Sequence, residues 1–213
     1  MTDTAQSVTT RYAGARVPRV EDSRLLTGHG TFVDDVQRPG MLHACFVRSP
    51  FARATINGIH TAEALALPGV HAVFTAEDIN PLVREAWHAV AGKDIPDTPR
   101  PPLAEGEVKF VGDPVALVIA DSRYVAEDAV DLVDVYYDPP PALADFRAYR
   151  DSEVVVHEAY PDNVAGGMGG MPPDEELFAP AAHVVEEHIY QQTYVTVPME
   201  TRGMVAEWTS ATT

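Results

Sequence analysis

The sequence predicts a domain that mixes strands and short helices, of α/β or α+β type, with the opening of a second domain behind it. Three observations carry this expectation. Residues 108–141, VKFVGDPVALVIADSRYVAEDAVDLVDVYYDPPP, read in succession as strand, turn, buried strand, helix and strand. Residues 41–79 alternate β-prone runs with short helical ones. From residue 181 the pattern changes to long β-prone stretches that run almost to the last residue, so a domain is expected to begin there and be cut short.

The 108–141 unit is the most regular. Val108, Phe110 and Val111 lead into Gly112-Asp113-Pro114, a turn cluster of the kind that parts two strands. Residues 115–120 are an unbroken apolar run, short enough for a strand buried on both faces. Asp121 and Ser122 can each cap a helix, because a side-chain oxygen there accepts the free amide protons of the first turn. Val125, Ala129, Leu132 and Val133 then share one helical face. Val135-Tyr136-Tyr137 is β-prone and stops before three prolines. Nothing in the unit is chemically reactive.

In chain order, residues 1–15 have little apolar pattern and are expected to be a flexible arm. Residues 16–35 are read as an extended segment. Gly28-His29-Gly30 within it lacks the spacing and the preceding strand of a phosphate loop. Residues 41–49 and 54–59 read as strands, and Thr61 can cap a short helix over 62–67 that Pro68-Gly69 ends. Residues 70–75 form a third strand and 76–79 a helical turn. Residues 80–105 hold five prolines and read as a long connection, with a turn of helix around Trp87. Residues 142–148 suggest a strand and turn, 154–156 a brief strand, and 163–173 (NVAGGMGGMPP) a flexible linker. Strands are expected over 184–197 and again over 203–208.

Composition narrows the partners. A net charge of −17 over 213 residues argues against nucleic acid or an anionic membrane surface. The lone Cys45 cannot form an internal disulfide or a CxxC site, and reads as a small hydrophobe in a strand. No leader pattern and no apolar run of about 18 residues is present, so a cytoplasmic protein is expected.

Candidate chemistry is sparse. His183 and His188 fall on opposite faces of a strand, and neither belongs to an H-E-x-x-H pattern. Asp34-Asp35 and Glu186-Glu187 are neighbours in sequence whose side chains diverge in extended chain. Pro198-Met-Glu-Thr-Arg-Gly203 is a polar block among strands. Its Glu200 and Arg202 share a face at i, i+2, which reads as a structural ion pair or a solvated edge rather than a site. No catalytic, cofactor-binding or metal-binding residue is assigned.

Four blocks nevertheless resemble one family in the right order. They are RVPRVEDSRLLTGHGTFVDDVQRPGMLHACFVRSPFARATI, ALPGVHAVFTAEDI, KFVGDPVALVIADSRYVAEDAVDLVDVYYDPPPAL and AAHVVEEHIYQQTYVTVPMETRGMVAEW. Together they are similar to the N-terminal part of the molybdopterin-binding large subunit of the xanthine dehydrogenase/aldehyde oxidase family, in the branch that contains aerobic carbon monoxide dehydrogenase.

That resemblance implies an α+β fold: an α/β hammerhead domain over residues 16–150, a linker over 151–180, and the first strands of a molybdenum-cofactor-binding domain over 181–213. It also implies part of an oxidoreductase that oxidises a small substrate with oxygen drawn from water. The whole subunit would carry molybdenum on molybdopterin cytosine dinucleotide. An iron–sulfur subunit with [2Fe–2S] clusters and an FAD subunit would take the electrons. The family's catalytic and cofactor residues come from regions beyond this sequence, so none is carried over, and carbon monoxide, an aldehyde and an N-heterocycle all stay open as substrates. The alternative expectation is a free hammerhead domain that serves as a non-catalytic interaction or assembly module.

Overall fold

A computed structural model describes residues 14, 17–83, 87–88, 99–158, 160–164, 175–192, 194–198 and 200–209. They fall into two compact units, one of residues 40–187 and one that combines 1–39 with 188–213. The expected arm over 1–15 lies outside the described residues except for Gly14, and so does most of the Gly-rich 163–173 stretch.

In the smaller unit the segment expected to be extended contains a helix, α1 (Asp22–Leu26), and a 3-10 turn, Val33–Asp35. Local polar groups stabilise both. Arg19 Nε bonds Asp22 at 2.8 Å, and the Asp35 carboxylate accepts the Phe32 N–H at 2.8 Å. Gly28 ends the helix in the left-handed region at φ +74°, where a side chain would be strained.

The strands expected over 184–197 and 203–208 are absent: the described residues of 181–209 contain neither strand nor helix. Ile189, Val197, Met204 and Trp208 are each more than 85% exposed. The physical reason is that β-prone residues make a strand only against a partner that takes their backbone hydrogen bonds.

The larger unit follows the expected order closely. It runs β1 (His43–Arg48), β2 (Ala54–His60), α2 (Ala62–Ala66), β3 (Val70–Phe74), α3 (Ala76–Ile79) and the 3-10 turn Asn80–Leu82. Then come β4 (Trp87–His88), β5 (Pro99–Arg100), β6 (Glu107–Val108), β7 (Pro114–Ala120), α4 (Arg123–Val130), β8 (Asp134–Asp138), the 3-10 turn Phe146–Ala148 and α5 (Glu175–Phe178). The strands form sheets of order β1-β7-β3, β6-β2-β8 and β4-β5, with antiparallel pairs throughout the described register.

Ser122 is the α4 cap, its hydroxyl accepting the Val125 N–H at 3.2 Å, while Asp121 instead meets His71 Nε2 at 2.7 Å. Thr61 makes no capping bond to α2. The helical turn expected at Trp87 is a strand residue paired with Arg100. Residues 142–148 give a 3-10 turn rather than a strand, because Asp145 takes the Arg147 N–H at 2.9 Å.

The core lies between β1-β7-β3 and the helices. Val47, Ala116 and Val118 from the sheet meet Ala64 of α2 and Ala129 and Val133 from α4 and its exit. Ala126 and Ala129 are fully buried, and their single methyl groups let α4 sit close to the sheet. A second cluster joins Ala54, Ala104, Val108 and Val115. The β1–β7 register shifts between Val47 and Arg48, leaving Val115 without a register partner on β1. Both Val115 and its neighbour Ala116 are thereby buried.

Candidate functional site

The most organised polar cluster of the larger unit was not legible as a motif. Asn163 adopts the left-handed conformation at φ 57°, which Asn tolerates better than other side chains. Its amide Nδ2 donates to Tyr149 O at 3.0 Å and Val154 O at 2.9 Å, and its Oδ1 accepts the Val156 N–H at 2.9 Å. These bonds fold residues 149–163 into a closed loop. They also explain why 154–156 forms no strand: the side chain of Asn163 takes the backbone bonds a ladder would need.

Two cations fasten that loop to the strands. Arg53 donates to the Val155 carbonyl at 2.6 Å and pairs through Nε with Glu107 of β6. Lys109 Nζ reaches the other Glu107 oxygen at 2.6 Å and the Val156 carbonyl at 3.4 Å. Burial alone would raise the Glu107 pKa, but hydrogen bonds and charge from Lys109 and Arg53 outweigh it and hold the carboxyl below its usual range. Asp113, which accepts the Lys109 N–H at 3.0 Å, is pushed up by burial.

Beside the loop is a cleft of about 550 Å³, lined chiefly by Leu143, Phe146, Tyr149, Val156, His157 and Tyr160. His157 and Tyr160 pack edge to face with ring centroids 5.5 Å apart. Burial first, then the Lys109 charge, lowers the His157 pKa. Tyr160 is 4% exposed, and its hydroxyl has no hydrogen-bond partner among the described residues. The cleft can accept an apolar group, but its lining offers no nucleophile with an oriented base.

The residues weighed from sequence are scattered. Among the described residues no ion pair joins Glu200 to Arg202; Glu200 Oε1 instead accepts the Val33 N–H at 2.9 Å. His183, Glu186, Glu187 and His188 are exposed, and no group of three or more His, Cys, Asp or Glu suited to a metal ion occurs among the described residues. Cys45 sits half-buried on β1, its thiol pKa raised by burial and then by Glu127. Gly28-His29-Gly30 is a loop geometry. A Cβ at Gly30 would come within 3.0 Å of the Leu25 side chain. Arg53, Glu107, Lys109 and Asn163 were missed because they are distant in sequence; only Asn163, in the turn-prone PDN, gave a local signal. Among the described residues no helix is long and apolar enough to cross a membrane.

Comparison with known proteins supplies what the geometry lacks. The pattern described as "Aldehyde oxidase and xanthine dehydrogenase, a/b hammerhead domain" matches residues 27–141. The chain is 42% identical over 207 residues to the nicotine 6-hydroxylase large subunit of Paenarthrobacter nicotinovorans, covering 95% of this chain and 25% of that one. It is 38% identical over 203 residues to the carbon monoxide dehydrogenase large chain of Hydrogenophaga pseudoflava, covering 88% and 25%. The crystal structure of quinoline 2-oxidoreductase from Pseudomonas putida 86 superposes with a TM-score of 0.63 at 41% identity, over 70% of this chain and 19% of that one. The chain thus spans about a quarter of the length of the curated relatives it matches. The β1-β7-β3 sheet braced by α4 and an ordered match through the central unit converge on one conclusion: the chain belongs to the aldehyde oxidase and xanthine dehydrogenase family and carries its a/b hammerhead domain.

Proposed function

We propose that this chain is the hammerhead-bearing part of the large subunit of a cytoplasmic molybdenum hydroxylase. In this reading the assembled enzyme oxidises a small substrate with water-derived oxygen and passes electrons to iron–sulfur and FAD centres on companion subunits. The observation that carries it is the reach of the similarity: 42% identity extends over 95% of the chain, well beyond the hammerhead match at 27–141. Residues 181–213 accordingly open the cofactor-binding domain, with 16–150 as hammerhead and 151–180 as the connection. The exposed apolar side chains of Ile189, Val197 and Trp208 support this, since they are suited to pairing with further strands.

The cofactors this reading implies do not fit the described residues. Of the cations at the cleft's loop, Arg53 and Lys109 are already engaged by Glu107 and by carbonyls and Arg150 by the Tyr149 hydroxyl, so they offer no cradle for the phosphates of a dinucleotide. No cluster among the described residues is suited to a metal ion. No chemical step is therefore assigned to this chain, whose contribution is structural.

The test is a chimera of the nicotine 6-hydroxylase large subunit with its aligned quarter replaced by this chain, co-expressed with the companion subunits. A complex containing molybdenum, iron and flavin is expected. A chain that folds but never enters such a complex would overturn the reading and favour a free interaction module.

A further inference from the structure

The sequence holds three asparagines, Asn57, Asn80 and Asn163, and their surroundings differ. Asn80 exchanges hydrogen bonds with the Leu103 backbone at 3.0 and 3.2 Å and precedes Pro81, whose nitrogen carries no proton. Asn163 commits its amide to Tyr149, Val154 and Val156 and precedes the branched Val164. Asn57 is exposed on β2, its side chain makes no hydrogen bond among the described residues, and it precedes Gly58.

Asn57 also stands out of the ladder. On the β8 side Ile56 faces Tyr137 and Gly58 faces Tyr136, so the residue between them has no register partner. On the other side β6 reaches only Ala54 and Thr55, and the Ile56 N–H bonds to the Gly106 carbonyl. An extra residue in a strand bends it locally, and the glycine that follows adds backbone freedom with no side chain in the way. A Cβ on Gly58 would lie 3.8 Å from His60 Nε2 and 4.0 Å from Tyr136 Cδ2, which is ordinary contact.

We propose that Asn57-Gly58 is a site of spontaneous modification, in which the Gly58 amide nitrogen attacks the Asn57 side-chain carbonyl carbon and the asparagine becomes aspartyl and isoaspartyl residues. The new bond joins Gly58 N to Asn57 Cγ and closes a succinimide ring. The Cγ–Nδ2 bond breaks, and ammonia leaves with the proton of the Gly58 amide. Water then opens the ring at either carbonyl. Opening at Cγ gives aspartate. Opening at the main-chain carbonyl gives isoaspartate, which routes the β2 backbone through one additional carbon. Each product adds a negative charge, and no oxidant or metal takes part. The additional carbon falls where the β2–β8 register is already interrupted. The isoaspartyl form presents a free α-carboxylate, the group that an isoaspartyl carboxyl methyltransferase recognises.

The experiment incubates the 213-residue chain in mildly alkaline buffer, with and without urea. Peptide mass spectrometry follows the gain of about 1 Da as an amide becomes a carboxylate, and methyltransferase labelling reports the isoaspartyl share. The gain is expected at Asn57 and not at Asn80 or Asn163, with a rate in the folded chain within about tenfold of that in urea. Gly58→Ala fits without a clash and should slow the reaction roughly tenfold, because a methyl group hinders the attacking nitrogen. Asn57→Gln, whose amide sits one carbon further out, should show no gain and serves as the second variant. Modification confined to the chain in urea overturns the proposal, since the β2 ladder then protects Asn57. Equal rates in the parent and Gly58→Ala also overturn it, since the amide is then hydrolysed without the Gly58 nitrogen.

Discussion

Glu200 accepts the backbone N–H of Val33 at 2.9 Å, linking segments 167 residues apart in sequence. Gly203 completes the contact from the same block: a Cβ there would lie 2.8 Å from Val33 Cγ1 and 3.2 Å from its Cβ. The polar PMETRG block is thus a clasp around the Val33–Asp35 turn. Glu200→Ala should weaken the clasp by ~1 kcal/mol, a typical net value for one hydrogen bond. Hydrogen exchange at the Val33 amide should then quicken roughly fivefold. Glu200→Gln keeps an acceptor and should lose less, whereas Gly203→Ala should lose more because Val33 must move. Equal exchange in all four proteins would remove the clasp.

Glu107 gathers Arg53 and Lys109, and its folded pKa lies below the unfolded one. The unfolded chain therefore takes up the proton first. Stability from this site is full above the unfolded value of ~4.3 and is lost as pH falls through the folded value. Glu107→Gln should cost ~1 kcal/mol at neutral pH, given partial solvent screening. It should also flatten the acid limb of a urea-denaturation pH series. Asp113 has the opposite sign: its raised pKa gives stability that is full below about 3.9 and lost as pH rises through the folded value. Asp113→Asn should accordingly change the profile in the other direction. An unchanged acid limb in Glu107→Gln would show that the network is energetically neutral.

Periodicity exposed the larger unit because its signals are local. The apolar run that became β7, the Ser122 cap and the alanines of α4 each act within a few residues. Two kinds of feature escaped. Backbone bonds captured by a distant or unexpected side chain, as at Asn163 and Val156, turn a β-prone run into a loop. β-prone stretches that meet no pairing strand among the described residues, as over 184–208, have the composition of a sheet without the ladder. The expectation that β7 is buried on both faces holds in part: Val115, Ala116, Val118 and Ala120 are fully buried, whereas Leu117 and Ile119, on the face away from α2 and α4, are half-buried.

Asn163 carries three hydrogen bonds and a positive φ at once. Asn163→Gly relieves only the backbone requirement, and Asn163→Ala relieves neither. Both should loosen the 149–163 loop by about 2 kcal/mol or more, with alanine worse by up to ~1 kcal/mol. Limited proteolysis around Val154 measures this directly. Cleavage no faster in either variant than in the parent would mean that Arg53 and Lys109 hold the loop unaided.

His157 makes the same loop sensitive to acid. Its pKa is lowered by burial and by the Lys109 charge, so the unfolded or opened loop binds a proton more readily than the closed one. Closure is fully stabilised above the ordinary histidine value of ~6.5 and weakens as pH falls from there through the folded value. Opening would expose Tyr160, whose ring packs against His157 at 5.5 Å. Exchange at the Tyr160 amide, which donates to the His157 carbonyl at 2.8 Å, should therefore quicken between pH 7 and 5 beyond its intrinsic pH dependence. His157→Phe keeps an aromatic ring against Tyr160 and removes the titrating group. In that variant the extra pH dependence should vanish while protection at pH 7 is retained; if it persists, another group governs the loop.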